Sequence, residues 1–303
     1  MKQTITFFTS MFISLMINAQ VSKTIAIPTA GSLSIHITLQ ERSTITNLTL
    51  TGTIDARDIK FIRDYLPVLS VLDLSQVTIA SYYGMLAITA GLFQYPANTI
   101  PMYAFYNHDN NIQNNTLTVI TLPASVTAIE YQAFYDCSAL KTIAISSTVV
   151  KIEAEAFTYC TSLQSIFAYS QTPIDLSTSF AYGVFDGINK TTCTLCVPIG
   201  SKSAYLNAVQ WKDFTNVLEF NATDVSSISS NKISIYPNPA STILTITSDK
   251  DATVEIVDIN GIMLINKRVS NNETIPIQTL SAGLYIVRII AEKQIKTFRL
   301  IKQ

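Results

Sequence analysis

Two consecutive segments of the chain, 117–139 and 140–162, repeat nearly the same sequence in twenty-three residues. A unit this short cannot bury its own apolar face, so its copies must lie side by side and share one core along the stack. The repeat therefore predicts a solenoid, which offers an extended surface for binding. The residues that recur at equivalent positions are Leu117, Leu140 and Leu163; Ile120, Ile143 and Ile166; Ile129 and Ile152; Phe134 and Phe157; and Cys137 and Cys160.

Each copy has the pattern of a short strand followed by a turn. Apolar and polar residues alternate after Leu117, Leu140 and Leu163, which is typical of β-strands. Farther along each copy, in 129–134 and 152–157, Ile, Ala and Phe fall at i, i+4 and i+5. One helical turn would direct all three side chains inward, so we predict short helical turns between the strands.

The repeat is looser upstream of these copies. Segments 45–52 and 69–76 predict two further strands, and 55–66 between them predicts a helix that Asp55 caps. The interval 77–98 is an insertion that the repeat does not require. The sequence therefore predicts a strand-helix-strand unit at the start of the solenoid and an interruption after it.

Composition and the first residues constrain location and partners. The chain has 303 residues, of which 14% are charged, and a formal net charge of -1, so nucleic acid is not a predicted partner. Residues 1–19 have an early lysine, an apolar run and a small residue at Ala19, which is typical of a secretory signal peptide cleaved there. A membrane anchor is the alternative, but spanning needs about 20 apolar residues. No other segment is predicted to cross a membrane.

The repeat unit resembles a known family. Its pattern L-x-x-I-x-L, then I-x-x-x-A-F and a cysteine before the next leucine, resembles the BspA-like leucine-rich repeats of bacterial cell-surface proteins. The resemblance covers roughly 48–220 and implies a leucine-rich-repeat domain over 20–220. The segment 193–220 resembles the segment that often closes such arrays. There we expect Trp211 and Phe214 to cover the open end of the core.

The rest of the chain has a different pattern. Residues 221–232 are polar and without periodicity, which predicts a linker. Residues 233–303 contain short alternating strands separated by turns such as Asn260-Gly261, which predicts a small all-β, immunoglobulin-like sandwich.

This C-terminal region contains the motifs Tyr236-Pro237-Asn238-Pro239, Asp258-Ile259-Asn260-Gly261 and Leu280-Ser281-Ala282-Gly283-Leu284-Tyr285 and ends in a basic strand. With these motifs it resembles the type A sorting domain of the type IX secretion system. The resemblance implies that the secretion machinery recognises the domain and commonly removes it, and that the protein is released or fixed to surface lipopolysaccharide. An ordinary β-sandwich binding module is the alternative. The residues that match the sorting domain are Tyr236, Pro237, Asn238, Pro239, Gly261, Gly283, Tyr285, Lys296, Arg299 and Lys302.

No motif for catalysis or metal binding stands out. The chain has two histidines, His36 and His108, whereas histidine metal centres need several ligands in one place. It contains neither G-x-S-x-G nor a glycine-rich phosphate loop. We therefore predict no catalytic residue, no metal, no cofactor and no enzymatic activity.

Two loop regions are candidates for ligand binding. The first contains Tyr103, Tyr106, His108 and Asp109 in an asparagine-rich loop. It is a candidate because amide and aromatic groups together suit sugar or peptide contact. A solvated loop without function is the alternative, and the acidic spacing does not follow the calcium-loop pattern. The second is the insertion, where aromatic side chains either contact a ligand or fold back over neighbouring coils. Its candidate residues are Tyr82, Tyr83 and Tyr95.

The cysteines allow two interpretations. Cys137 and Cys160 lie at equivalent positions of adjacent coils, so they either form a disulfide or lie in a ladder of buried thiols; we favour buried thiols. Cys193 and Cys196 are three residues apart in a predicted strand and therefore face opposite sides, which does not suit redox or zinc chemistry.

The sequence leaves two classes of function open. We favour a secreted or cell-surface leucine-rich-repeat protein, adhesin-like, that binds an extracellular protein or glycan. The alternative is a secreted hydrolase or glycan-handling accessory with an unrecognised site, which would need two carboxylates about 5 to 9.5 Å apart in a deep pocket.

Overall fold

A computed structural model of the chain describes residues 21–85, 88, 92–177, 182–220, 234–236, 240–248, 251–258, 262–270, 273–281, 283–291 and 294–302. The predicted signal peptide 1–19 and the predicted linker 221–232 lie outside the described residues.

The repeat domain consists mainly of short parallel strands. Its strands and α-helices, in chain order, are β1 (Ser22–Ile27), α1 (Leu39–Arg42), β2 (Asn47–Ile54), α2 (Ala56–Tyr65), β3 (Val71–Ile79), β4 (Tyr82–Met85), β5 (Leu92–Tyr95), β6 (Thr99–Ile100), β7 (Val119–Thr121), β8 (Ala128–Ile129), β9 (Thr142–Ile145), β10 (Lys151–Ile152), β11 (Ser165–Ala168), β12 (Thr194–Pro198), α3 (Lys202–Asn207) and β13 (Asn216–Phe220). Three short 3₁₀ helices accompany them: Leu33–Ile35, His108–Asn110 and Trp211–Asp213.

Two parallel sheets run along the stack of coils. Among the described residues, the larger sheet has eight strands in the order β1-β2-β3-β7-β9-β11-β12-β13, and the smaller sheet has the order β10-β8-β6. Each coil contributes at most one strand to each sheet, so neighbouring strands come from successive coils. This arrangement confirms the predicted leucine-rich-repeat solenoid.

The equivalent isoleucines line up in one core. Ile166 pairs with Ile143 in the sheet register, and the pairing of Val119 with Thr142 places Ile120 beside Ile143. All three isoleucines are buried in the same cluster. Burying an aliphatic side chain of this size contributes about 1.5 to 3 kcal/mol, so this row supplies a large share of the stability of the stack.

The predicted helical turns are wrong. After β8 and β10 the chain forms consecutive tight turns in which Gln132 and Glu155 have left-handed backbone conformations, with φ of 50° and 58°. The turns of adjacent coils also hydrogen-bond to each other: the Phe134 amide donates to the Ala156 carbonyl at 2.8 Å. A helical turn would direct these N–H groups along its own axis, whereas here they join neighbouring coils.

A column of stacked phenylalanines fills the core behind these turns. The ring centroids of Phe105, Phe134, Phe157 and Phe185 are separated by 5.0, 5.1 and 5.8 Å in succession. Because each coil supplies one ring at the same position, the column fixes the register of the coils.

The column ends at the predicted cap. The Phe185 ring lies 5.0 Å from Trp211 and 5.4 Å from Phe214, and both capping side chains are fully buried. The Trp211 indole N–H donates to the Ile174 carbonyl at 2.9 Å. The predicted plug at the C-terminal end of the solenoid is therefore confirmed.

The N-terminal end has a cap that sequence reasoning did not identify. Leu33, Ile37 and Ile45, which lie around α1, are fully buried against the first coil. The predicted helix is α2, and its cap Asp55 accepts a hydrogen bond from the Arg57 amide at 2.8 Å. Both open ends of the core are thus covered.

The C-terminal region is an all-β domain. Its strands are β14 (Ser234–Tyr236), β15 (Ile243–Thr247), β16 (Ala252–Val257), β17 (Met263–Val269), β18 (Glu273–Pro276), β19 (Gly283–Ala291) and β20 (Gln294–Lys302). They form two antiparallel sheets in the orders β14-β15-β18 and β17-β16-β19-β20, and one buried apolar cluster includes residues of both sheets. The immunoglobulin-like detail stays a prediction.

The four cysteines are free and buried. Burial raises the pKa of the Cys137 and Cys160 thiols well above the usual range, so these groups stay protonated and unreactive. Cys193 lies in the main core, whereas Cys196 lies in a separate apolar cluster with Phe167. The structure thus has buried thiols, the interpretation that we favoured, and the C-x-x-C pair faces opposite sides of its strand.

Candidate functional site

The turns of three adjacent coils bring five tyrosines together. We call this surface the tyrosine band and define it by Tyr103, Tyr106, Tyr131, Tyr135 and Tyr159. The Tyr106 ring lies 4.8 Å from Tyr135, and Tyr135 lies 5.5 Å from Tyr159. Tyr103 contacts Tyr106 and Tyr131, with centroid distances of 6.3 and 5.7 Å. Rings in offset or edge contact at these distances support one another as a preformed surface.

The phenylalanine column explains why the band forms. In each turn the alanine and phenylalanine point into the core, and the tyrosines that follow the phenylalanine lie on the other side of the turn. Tyr106 and Tyr135 directly follow Phe105 and Phe134. Because the phenylalanines stack in register, the outward side chains of successive coils stack as well. Tyr159, at the end of the band, is 47% exposed.

Polar groups connect the coils within the band. The Tyr131 hydroxyl donates to Glu155 Oε1 at 3.0 Å, and Gln132 Nε2 donates to Glu155 Oε2 at 2.8 Å. Burial and then the hydrogen bond to Glu155 raise the pKa of Tyr131 to about 12. Burial together with the charge of Glu155 also raises the pKa of Tyr103. The phenols therefore stay neutral beside a negative charge.

A second carboxylate of the band, Asp136, lacks such contacts. No hydrogen-bond or ion-pair partner of its side chain occurs among the described residues, and burial alone raises its pKa. Its backbone is also left-handed, with φ of 51°. Asp136 therefore has two unfavourable contributions to stability: the desolvation of its carboxylate and the strain of its left-handed backbone.

Replacing Asp136 with asparagine is expected to stabilise the protein by about 0.5 kcal/mol at neutral pH. Burial disfavours the charged form of Asp136, so the pKa of its carboxyl is higher in the folded state than in the unfolded state. The desolvation cost of the carboxylate is therefore fully present at a pH above both pKa values. That cost disappears as the pH falls toward the ordinary pKa of 3.8. Urea denaturation at several pH values is the measurement. A gain that grows on acidification contradicts this account.

Two of the predicted ligand-binding groups extend the band. The His108 ring stacks on Tyr103 at 4.5 Å, and His108 Nδ1 lies 3.6 Å from Asp109 Oδ1. Both side chains are about half exposed. The structure thus brings Tyr103, Tyr106, His108 and Asp109 together, although Tyr106 is itself buried beneath its neighbours.

Helix α2 holds this loop in place. Arg63 Nη1 donates to the Tyr103 carbonyl at 3.0 Å, and Asn107 Nδ2 donates to Asp64 Oδ1 at 2.8 Å. Asn107 also caps the 3₁₀ helix by accepting from the Asn110 amide at 3.1 Å. The loop is therefore fixed to the solenoid at several points.

The described part of the insertion forms a hairpin of β4 and β5, which is a two-stranded sheet of its own. Tyr82 stacks on Tyr95 at 6.3 Å, and the Arg57 guanidinium lies 4.5 Å from the Tyr82 ring. Tyr95 is buried and accepts a hydrogen bond from the Ile88 amide at 3.2 Å. Tyr95 is therefore a packing residue rather than an exposed contact group. Tyr83, by contrast, is 68% exposed.

Sequence reasoning missed three of the five tyrosines that define this surface. Tyr131, Tyr135, Gln132, Glu155 and Tyr159 were not identified as site residues. Part of the signal was present in the repeat, because the residue directly after the recurring phenylalanine is a tyrosine in two coils, Tyr106 and Tyr135. In the next coil that residue is the buried Thr158, and Tyr159 lies one position farther on, so the repeat pattern alone does not identify it.

The rival enzymatic site requires two carboxylates in one pocket. A small depression near the C-terminal cap is lined by Ile145, Ser146, Ala168, Tyr169, Ser170, Ile174, Tyr205 and Trp211, none of which is a carboxylate. Among the described residues, no group of three or more His, Cys, Asp or Glu side chains is arranged to hold a metal ion.

None of the helices in the described ranges has the length and apolar character needed to cross a bilayer.

Comparison with protein families agrees with this architecture. Residues 76–196 match the BspA type leucine-rich repeat region in six copies, and residues 234–303 match the secretion system C-terminal sorting domain. The chain therefore contains a BspA-type leucine-rich-repeat region followed by a type IX C-terminal sorting domain. Comparison with curated proteins finds no match. BspA-type repeat families are generally non-enzymatic surface proteins.

The sorting domain implies interaction with the type IX machinery and a secreted or cell-surface location. Tyr236 is about half exposed on β14, whereas Tyr285 is buried and its hydroxyl donates to the Ser281 carbonyl at 2.8 Å. Gly283 opens β19 and pairs with the buried Lys302.

The other predicted sorting residues are only partly described. Lys296 and Arg299 pair with Ile289 and Ile286 through the backbone of β20. Their side chains lie outside the described part of the chain, as do Pro237, Asn238, Pro239 and Gly261.

Proposed function

We propose that this BspA-type protein is an adhesin-like surface protein that binds an extracellular protein or glycan through the tyrosine band. The observation that carries the proposal is the assembly of five tyrosines from three coils into one surface. Tyrosine offers a large contact area for little lost side-chain entropy, and it is enriched at binding hot spots. His108 and Asp109 at one end, and Tyr83 on the hairpin, are proposed as additional contacts.

Backbone strain in the band supports this role. Tyr103, Gln132, Asp136, Glu155 and Tyr159 all have positive φ, between 50° and 61°. A residue other than glycine in this conformation costs about 1 to 3 kcal/mol, and such residues cluster at functional sites.

The next coil provides a comparison. The amides of Asp136 and Tyr159 each donate to the next coil, to the carbonyls of Thr158 and Asp186 respectively. By this pattern, Gly187 occupies the position that Asp136 and Tyr159 occupy in the earlier coils, and its φ is 77°. Glycine adopts that conformation without strain. At Asp136 and Tyr159 the chain thus has a charged or large side chain in a backbone conformation that glycine would adopt with less strain.

The proposal includes the route to the surface. The signal peptide 1–19 directs the chain to the periplasm and is then removed, and the sorting domain directs export through the type IX machinery. Removal of the sorting domain leaves the repeat region as the mature protein, released or attached to lipopolysaccharide. Intact mass measurement of the surface form tests both cleavages.

Replacing Tyr135 and Tyr159 together with alanine is expected to weaken binding to the extracellular partner by at least about tenfold, because these rings supply the exposed part of the band. Binding of the exported protein is measured on extracellular-matrix and glycan arrays, then by titration against the strongest hit. The control variant Tyr65→Ala removes a tyrosine of helix α2 that is 49% exposed and lies outside the proposed contacts, and we expect it to change affinity less than about threefold.

Fluorescence of Trp211 confirms that the variants remain folded, because it is the single tryptophan of the chain and lies in the cap. Unchanged binding by the folded double variant would place the ligand elsewhere and refute the proposal.

A further inference from the structure

We propose that the tyrosine band binds a basic protein segment, with lysine or arginine side chains placed against its tyrosine rings and carboxylates. This inference rests on the proposed function, because it names the ligand class of the same surface. It follows from the charges around the rings and from a contact that the molecule already makes elsewhere.

The band carries acidic groups that its own structure does not balance. Glu155 accepts hydrogen bonds from Tyr131 and Gln132, which are both neutral. Asp136 has no hydrogen-bond or ion-pair partner for its carboxylate among the described residues. The whole chain has a formal net charge of -1, so this acidity is a local property of the band.

Three basic residues of the repeat domain pair with carboxylates other than Asp136 and Glu155. Arg63 is almost fully buried and pairs with Asp64 at 2.7 Å. Lys151 pairs with Glu153. Lys190 lies between Asp186 and Asp213, at 3.8 and 3.6 Å. Within the described part of the chain, no lysine or arginine forms an ion pair with Asp136 or Glu155.

Exposed tyrosine rings next to carboxylates form a suitable site for a cation. The face of an aromatic ring is electrostatically negative and attracts ammonium or guanidinium groups within about 6 Å, and a neighbouring carboxylate adds to this attraction. Negative charge beside the rings also raises the pKa of Tyr103 and Tyr135, after the larger effect of burial. A polyanion such as nucleic acid or a sulfated glycan is repelled by the same field.

The molecule contains an internal example of this recognition. The Arg57 guanidinium lies 4.5 Å from the centre of the Tyr82 ring while its Nη2 donates to Asp55 Oδ2 at 2.6 Å. Arg42 similarly lies 4.9 and 5.0 Å from the rings of Phe61 and Tyr65. The band presents the same pair of groups, tyrosine faces and carboxylates, and among the described residues no guanidinium lies over one of its rings.

A basic segment fits these groups better than a neutral glycan does. The Asp136 carboxylate is an acceptor without a partner among the described residues, and it carries a negative charge that a neutral sugar does not compensate; the tyrosine hydroxyls can donate as well as accept. The amide of Gln132, which could donate to a sugar oxygen, is already bound to Glu155 and Tyr131. Cationic side chains donate hydrogen bonds and carry positive charge, so they satisfy both requirements of the surface.

The test uses the full chain and two probes, a hexa-arginine peptide and the neutral oligosaccharide cellohexaose. Binding is measured by fluorescence polarisation for the wild type and for the double variant Asp136→Asn/Glu155→Gln, which keeps the shapes of both side chains. The control variant Asp175→Asn/Asp251→Asn removes two charges that have no contact with the band.

We expect the band variant to bind hexa-arginine about tenfold more weakly and the control to change less than about twofold. Raising the salt concentration from about 50 mM to about 300 mM should weaken binding by the wild type. Equal losses of peptide affinity in the band variant and the control variant would mean that the peptide responds only to the overall charge of the protein, and this result would overturn the inference.

The outcome also separates this inference from the proposed function. Suppose that cellohexaose binds in a way that depends on Tyr135 and Tyr159, and that the hexa-arginine peptide does not bind. This result refutes the inference that the ligand is a basic segment, but the band remains a binding surface. If neither probe depends on the band, and Tyr135→Ala/Tyr159→Ala also leaves matrix binding unchanged, both proposals fail.

Discussion

Replacing Phe134 with alanine is expected to destabilise the repeat domain by about 4 kcal/mol. The ring is fully buried between Phe105 and Phe157, at centroid distances of 5.0 and 5.1 Å. Alanine at this position leaves a cavity and removes two stacking contacts. Because each coil of a solenoid is stabilised mainly by its neighbours, the loss affects both adjacent interfaces. A domain of this size has only about 5 to 15 kcal/mol in total.

Trp211 provides the readout for this variant. As the single tryptophan, buried in the cap of the repeat domain, it reports unfolding of this domain separately from the sorting domain. The control is Val150→Ala, which shortens a side chain that is 75% exposed in the same part of the stack. We expect the control to change stability by less than about 0.5 kcal/mol. Similar midpoints in urea for Phe134→Ala and the control would contradict the stacked column.

Deleting residues 233–303 is expected to retain the protein in the periplasm and reduce the extracellular amount to background. The deleted segment contains the sorting domain, through which the type IX machinery acts on its cargo. The repeat domain has its own buried core and caps at both ends, so we expect it to stay folded without this segment. Fractionation of a bacterium that has the type IX system, followed by immunoblotting of each compartment, is the measurement.

The control for this deletion is the full chain with Tyr83→Ala, which should reach the surface in normal amounts. Trp211 fluorescence of the truncated protein distinguishes failed export from failed folding. Appearance of the folded truncated form outside the cell at the normal level would refute the assignment of the sorting domain.

The sequence was sufficient for the architecture because repetition makes core positions visible. Ile120, Ile143 and Ile166 recur at a fixed spacing, and only residues that face a shared core need to do so. The C-terminal plug of Trp211 and Phe214 followed from the need to cover the last coil. The N-terminal cap occurs once and has no repeat signal, so Leu33 and Ile37 could not be recognised in the same way.

The turns and the binding surface were harder to predict. Positions 132 and 155 are occupied by glutamine and glutamate, whereas glycine is the residue that usually indicates a left-handed conformation. Their left-handed conformations therefore had no local signal in the sequence. The hydrogen bonds between coils impose these conformations, and such bonds depend on neighbours more than twenty residues away. The band has the same origin: Tyr135 and Tyr159 become neighbours only when the coils stack. By contrast, Tyr103, Tyr106 and His108 lie within one loop and were found from the sequence.

The central claim is that stacked coils combine residues from separate repeats into one aromatic surface. Nuclear Overhauser measurements on protein with labelled tyrosine rings test it directly. The account predicts cross-peaks between the rings of Tyr106 and Tyr135 and between those of Tyr135 and Tyr159, at centroid distances of 4.8 and 5.5 Å. Ordered rings that show contacts only to residues of their own coil would contradict it.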